Sequence, residues 1–339
     1  MVTPCLSFPR DLFASYCFRE RHTGGRIAVL VEEELAAVTP GRDTLVTIGV
    51  FDGVHLGHRH LITEFLRQAR ERDLLSVAIT FRQHPEDYML AKSKLPFLTD
   101  IETRTNLLKA EGIDIVVPLS FTHSLASLDA RDFIELLRKY LRMKGVVIGN
   151  DFALGKDRAG DIPTLRRLGE ELGFTVTVVP PLVVNGETVS STTIRRAMAD
   201  GDMAKVHALT GRYFHLHGKV ITGAGRGEDL GFPTANLDVG PGHALPPDGV
   251  YAGVAHVNGN VYPAMTNIGR NPTFGRNERT IEAFLLDYHG DLYGHEISVD
   301  FVARLRDEMK FHNAEELQRQ LAEDVKHGKR VLQQSGMIG

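Results

Sequence analysis

Near residue 210 the spacing of apolar residues changes, and that change constrains the fold more than any single motif. Before it, short apolar runs alternate with helical patterns: TLVTIGV (44–50), SVAITF (76–81), DIVVP (114–118), GVVIG (145–149) and TVTVVP (175–180). Between them lie sets at helical spacing, such as Leu61, Ile62, Phe65, Leu66, Ala69 and Phe133, Leu136, Leu137, Tyr140, Leu141. Short apolar strands separated by helices predict a parallel sheet covered on both faces, a Rossmann-like α/β domain. After GDMAKVHALTGRYF the helices stop. Runs at 213–221, 249–257, 260–269, 278–288 and 296–305 follow one another, with Asn258–Gly259 as a hairpin signal. That spacing predicts a small antiparallel β-barrel. One terminal helix closes the chain, with Asn313 as N-cap, Glu316 three residues on, and Leu317, Leu321 and Val325 on one face. The expected organisation is an extension at 1–25, an α/β domain at 26–209 and a barrel domain at 210–334.

A chain of 339 residues suits two cores rather than one. Its formal charge of −4 gives no electrostatic footprint for nucleic acid or an anionic membrane. No apolar run is long enough to span a bilayer, and the scattered Arg10, Asp11 and Arg19 leave no signal-peptide core. Cys5 and Cys17 form no CxxC pair, so reduced thiols and a cytoplasmic location are expected.

The stretch VTIGVFDGVHLGHRHLI (46–62) places His55, Gly57 and His58 between an apolar strand and an amphipathic helix beginning near His58. A helix N-terminus offers unpaired N–H groups and partial positive charge to an anion. Gly57 suits close backbone approach to a phosphate, and Gly49 and Gly53 suit the turn. Neither GK[ST] nor GxGxxG occurs here, so the design differs from those phosphate loops. A second piece is VSSTTIR (189–195): Ser190, Ser191 and Thr192 make a hydroxyl-rich cap, and Arg195 follows one turn later. Taken singly, these are surface histidines at a helix start and an ordinary cap; together they favour a triphosphate site.

In the barrel half, VITGAGRGEDLGFPTANLD (220–238) sets Gly223, Gly225 and Gly227 around Arg226, a cation-bearing loop suited to covering phosphates, where a plain β-turn is the alternative. Thr234 and Asn236 supply oxygen atoms that Mg²⁺ accepts. Glu282, in ERTIEAFLLDY, sits in a strand that is apolar on both faces; partial desolvation would suit it to general-base work, and pairing with Arg279 is the competing role.

These motifs, in this order, resemble the bacterial bifunctional riboflavin kinase/FAD synthetases. GVFDGVHLGH, GNDFALG (149–155) and SSTTIR are similar to the FMN adenylyltransferase module, one of the HxGH nucleotidyltransferases. GRGEDLGFPTAN, DGVYAG, NIGRNPTF, RTIEAFLLD, DLYG and LRDEMKF are similar to the riboflavin kinase module. The resemblance implies that riboflavin is phosphorylated to FMN and FMN adenylylated to FAD, with ATP as co-substrate and Mg²⁺ as cofactor. It implies that His55 and His58, with Gly49, Phe51 and Gly57 around them, contact ATP, and that Ser190, Thr192 and Arg195 hold its triphosphate. His84, Asp151 and Phe152 would lie near the FMN pocket. Thr234 and Asn236 would bind Mg²⁺ and phosphates, Glu282 would take the ribityl hydroxyl proton, and Arg306 would lie near the flavin. One departure stands out: Arg82 and Gln83 precede His84 where the family commonly has an acidic residue and a proline. A kinase with an altered first domain, or a flavin-binding regulator, are the alternatives.

Overall fold

A computed structural model describes residues 28–85, 95–223, 231–270 and 279–338. The readings placed on residues 1–25, Cys5, Cys17, Gly225, Arg226 and Gly227 lie outside the described residues. The first half forms a parallel sheet in the order β3-β2-β1-β4-β5, from β1 (Thr44–Ile48), β2 (Leu75–Phe81), β3 (Ile115–Leu119), β4 (Met143–Gly149) and β5 (Thr175–Val179). Every residue of β1 is buried, as a central strand covered on both faces requires. The helix Leu56–Glu71 buries Ile62, Phe65, Leu66 and Ala69 against the sheet, and Ala130–Leu141 buries Phe133, Ile134, Leu137 and Leu141. Because β1 lies between β2 and β4, strand order reverses there. The loops after β1 and β4 therefore open a crevice at the carboxyl ends of the strands, where such sheets bind ligands.

The second half closes into a barrel in the order β10-β11-β12-β9-β8-β13. Its strands are β8 (Phe214–Ile221), β9 (Ala235–Asp238), β10 (Gly249–Val257), β11 (Asn260–Arg270), β12 (Arg279–Leu285) and β13 (Glu296–Arg306); a short hairpin, β6 (Val183–Val184) and β7 (Glu187–Thr188), precedes it. Strand β9 was not expected. It falls within the stretch read as a phosphate loop, and its four residues turn only Ala235 and Leu237 inward, too few for a period to show.

The terminal helix Ala314–Gln334 begins as expected, with the Asn313 side chain accepting from the Glu316 N–H at 2.9 Å. The Glu316 carboxylate reaches back to the His312 N–H at 3.0 Å, one residue further than a capping box requires. The deepest positions of this helix are Asp324, Gly328 and Leu332 rather than Leu317, Leu321 and Val325. A β-carbon at Gly328 would fall 2.2 Å from the Met265 sulfur, so the helix lies directly on β11.

The halves are not loosely strung. Ile194, Met198 and Val206, from the helices Ser191–Ala199 and Met203–Thr210, share one apolar core with Phe214, Leu216 and Phe301 of the barrel. The boundary read at 209–210 therefore falls inside a common core. Among the described residues no helix is long and apolar enough to cross a membrane.

Candidate active sites

The helix Leu56–Glu71 starts two residues earlier than expected, and the reason is His55. Its extended backbone makes it the N-cap, and its Nδ1 accepts from the His58 N–H at 3.2 Å. That bond leaves the ring proton on Nε2. The His55 and His58 rings stack with centroids 3.6 Å apart, and Phe51 meets His58 edge-on at 5.3 Å. The Nδ1 atom of His58 is buried without a hydrogen-bond partner among the described residues, a polar atom with bonding capacity to spare.

Burial pushes the His55 imidazole down to about 3, helped by the charges of Arg212 and Arg195. Burial likewise holds His58 well below the ordinary range, with His55, Arg104 and Arg212 adding to it. Both rings are therefore neutral at physiological pH. They offer hydrogen bonds, and the positive charge comes from arginines around them.

Three residues support this arrangement in ways the motif does not show: Asp52 from within it, and Arg104 and Arg212 from outside it. Asp52, almost wholly buried, accepts from the N–H of Leu98 at 2.9 Å and of Thr99 at 3.1 Å, and its carboxylate pairs with Arg195. Arg104 is fully buried, donating to the carbonyls of Val50 (3.1 Å), Phe81 (2.9 Å) and Thr99 (3.0 Å). It thus sets a cation beneath the carboxyl ends of β1 and β2, where it also lies over the Phe97 ring. Only position hints at it: Arg104 and the buried Leu108 are one helical turn apart. Arg212 is the third support.

The glycines of this loop do not share one role. A β-carbon on Gly57 would fall 2.6 Å from the Val189 carbonyl, so its missing side chain admits the chain itself. Gly49 donates to the Ile79 carbonyl at 3.1 Å and faces the Phe51 ring. Gly49 is not left-handed. The left-handed backbone of the loop falls on Phe51 (φ 51), Gly53 (φ 81) and Val54 (φ 32). For the two non-glycine residues that conformation costs on the order of 1–3 kcal/mol each.

The late motif docks on the early one. Ser190 caps its helix by accepting from the Thr193 N–H at 3.2 Å, while Ser191 Oγ donates to the Asp52 carbonyl at 3.0 Å. Thr192 is exposed, and Arg195 also donates to the Pro96 carbonyl at 3.2 Å. His84 is buried with its ring 5.7 Å from Phe97. Asp151 is exposed at the end of β4, and Phe152 packs on the core of the sheet. At the departure, the Arg82 side chain is exposed, and the Gln83 amide oxygen accepts from the Phe121 N–H at 2.9 Å.

In the barrel, register assembles the site. Glu282 on β12 is the antiparallel partner of Asn236 on β9 and of Asn267 on β11, giving a row of amide, carboxylate and amide on one face. Ile281, Ala283 and Leu285 point into the barrel, whereas Glu282 and Phe284 lie on the half-buried outer face. Thr280 Oγ1 is 3.4 Å from the Glu282 carboxylate. Arg279, the competing partner, is instead 2.6 Å from Asp248. A β-carbon on Gly223 would fall 2.0 Å from the Asn236 amide nitrogen, so this glycine gives Asn236 room. The Glu308 carboxylate occupies the space over Gly269, next to the Asn267 amide; burial and the charge of Asp248 raise its pKa. Sequence reasoning missed both Asn267 and Glu308. Thr234 is exposed just before β9. Arg306 grips the buried Asp324 through Nε at 2.9 Å and Nη2 at 2.7 Å, which ties the terminal helix to β13.

Residues 39–193 match the FAD synthetase family model and residues 210–332 the riboflavin kinase model. The bifunctional riboflavin kinase/FMN adenylyltransferase of Escherichia coli K12 is 36% identical over 84% of this chain and 91% of its own. That of Bacillus subtilis is 34% identical over 87% and 92%. A crystal structure from Streptococcus pneumoniae, described as a macrolide-efflux protein, superimposes with a TM-score of 0.79 at 31% identity, covering 86% of this chain and 95% of that one. With both modules present in order, and relatives aligned over nearly their whole length, this chain belongs to the bifunctional riboflavin kinase/FMN adenylyltransferase family.

Proposed function

We propose a division of labour for the two activities of this enzyme, which phosphorylates riboflavin to FMN and adenylylates FMN to FAD. In the first half, an FMN phosphate oxygen attacks the α-phosphorus of ATP and expels pyrophosphate. Such a transfer depends on in-line positioning and charge stabilisation more than on proton movement. His58, with its unpartnered Nδ1, and His55, with its Nε2 proton, contact the phosphates at the start of the helix. Ser190, Thr192 and Arg195 take the triphosphate; Arg195 exchanges its bond to Asp52 for one to phosphate. His84, Asp151 and Phe152 border the flavin side of the crevice. The His58 Nδ1, buried with no partner among the described residues, is the observation that carries this assignment.

In the barrel, Glu282 takes the ribityl hydroxyl proton as that oxygen attacks the γ-phosphorus of ATP and ADP leaves through the bridging oxygen. The donor set beside it suits Mg²⁺: a Thr234 hydroxyl and an Asn236 amide oxygen are hard ligands, and Mg²⁺ commonly completes its shell with water and phosphate. Among the described residues no cluster of three or more His, Cys, Asp or Glu could hold a metal without such help. When bound, the ion would neutralise charge on the transferring phosphate. The loop with Gly223, Arg226 and Gly227 would cover those phosphates. Arg306 acts through Asp324, positioning the terminal helix beside the flavin. FMN leaves one site and enters the other. A cytoplasmic location, with no nucleic-acid or membrane partner, completes the reading.

The test is chromatography of flavins after incubation with ATP and Mg²⁺, starting in parallel from riboflavin and from FMN. FAD from both is expected. FMN accumulating from riboflavin, with no FAD from either start, would leave a kinase carrying a silent first domain.

A further inference from the structure

Arg212 belongs to no motif read above. It lies in the junction between the helix Met203–Thr210 and strand β8, inside the stretch that matches the riboflavin kinase model. Its guanidinium nevertheless serves the other half of the molecule. Nη1 donates to the Val54 carbonyl at 3.1 Å, and Nη2 donates to the Gly53 carbonyl. These are the two peptide oxygens immediately before His55, and both residues have left-handed backbone. Carbonyls in such a turn join no helix or strand ladder, so they need a donor from elsewhere. Arginine's planar fork can serve both at once.

The junction that carries Arg212 is itself fixed. The Thr210 hydroxyl donates to the Arg212 backbone carbonyl at 2.6 Å. Gly211, left-handed at φ 72, lies so close that a β-carbon there would fall 2.9 Å from Leu56, the first helical residue after His55. Two residues beyond Arg212 the chain enters the barrel at Phe214.

We propose that Arg212 is a positioning residue for FMN adenylylation: by bridging the Gly53 and Val54 carbonyls it holds the strained turn that aims His55 and His58 at the nucleotide. This rests on the assignment of the two histidines to that reaction. Relaxation of the turn shifts the cap and the ring stack together, and small displacements from in-line geometry cost rate steeply.

The test uses the full chain with R212A and R212K, measuring FAD formation from FMN and riboflavin kinase activity on the same preparations, with H58A in parallel. In R212A, kcat for FAD formation should fall about 10- to 100-fold. KM for ATP and FMN should stay within about threefold, and kinase turnover within about twofold. R212K, which keeps the charge but loses the fork, should recover part of the loss. The proposal is overturned if R212A forms FAD within about twofold of the unsubstituted enzyme while H58A does not. Equal loss of both activities with a lowered melting temperature, in both variants, would also overturn it, because the arginine would then only hold the halves together. FAD formation surviving in H58A would remove the histidine assignment, and this proposal with it.

Discussion

The crevice of the parallel sheet gathers its side chains from stretches far apart in the chain: Asp52 to His58, Arg104, Ser190 to Arg195, and Arg212. The barrel site lines up Asn236, Glu282 and Asn267 through the pairing of three adjacent strands. The first arrangement depends on caps, buried arginines and a strained loop, each of which must be in place for the others to aim correctly. The second depends on the backbone ladder, which fixes the row before any side chain is chosen. The crevice is therefore sensitive to substitutions that never touch substrate, and the barrel site to substitutions within the row.

The largest effect tests the barrel side. Glu282→Gln removes the proposed base and keeps the shape, so kinase turnover should fall by about 10²- to 10⁴-fold, the usual contribution of a general base. FAD formation from supplied FMN should be unchanged; its loss would break the contrast between the sites. On the crevice side, Asp52→Ala strands Arg195 and the N–H groups of Leu98 and Thr99. Breaking a buried ion pair costs about 3–5 kcal/mol. FAD formation should fall with the apparent melting temperature, while the barrel at moderate temperature keeps its kinase activity. An unchanged melting temperature would show that Asp52 is not the tie it is taken for.

Asp324→Ala makes the matching cut in the barrel half, leaving Arg306 without its partner beneath the terminal helix. Limited proteolysis should then release C-terminal fragments sooner, with kinase activity reduced and FAD formation spared. Equal protease resistance would mean that the apolar contacts of Val325, Gly328, Val331 and Leu332 hold the helix without the ion pair.

The smallest effect is in pH. His55 falls to about 3 in the folded chain from an ordinary 6.5, so between those values the unfolded chain binds a proton that the folded one refuses. Its contribution to stability is complete above the unfolded value and drains as pH falls towards the folded one, by at most about 1.4 kcal/mol per pH unit. The melting temperature should thus drop between about pH 7 and about pH 5, and His55→Asn, which keeps a capping side chain, should flatten that slope. Parallel slopes for the two proteins would show that His55 is not the group responsible.

What could be read from the sequence follows from the same contrast. Periodicity revealed the sheet, the helix after His55 and five barrel strands, because those elements are long enough to bury a repeating face. The helix start was misplaced because histidine is not among the usual caps, and only its bond to the His58 N–H makes it one. Strand β9 was missed because its pattern ends after two inward residues. Glu282 and Asn236 were each singled out, but their pairing is a matter of register that a linear reading cannot supply. Arg104 and Arg212 were passed over because charged residues are ordinarily solvated, and nothing local marks a carbonyl waiting to be bonded. Asp52 lay in plain view inside GVFDGVHLGH. Its role needed Arg195, 143 positions away, to become visible.

The central claim is that two independent sites act in sequence through free FMN. It is tested most directly by mixing H58A and E282Q in one reaction with riboflavin, ATP and Mg²⁺. Alone, H58A should stop at FMN and E282Q should leave riboflavin untouched. Mixed, they should form FAD after a lag while FMN builds up in solution. If the mixture forms no FAD although each variant retains its own remaining activity, FMN does not pass freely between the sites; if each variant has lost both activities, there are not two independent sites.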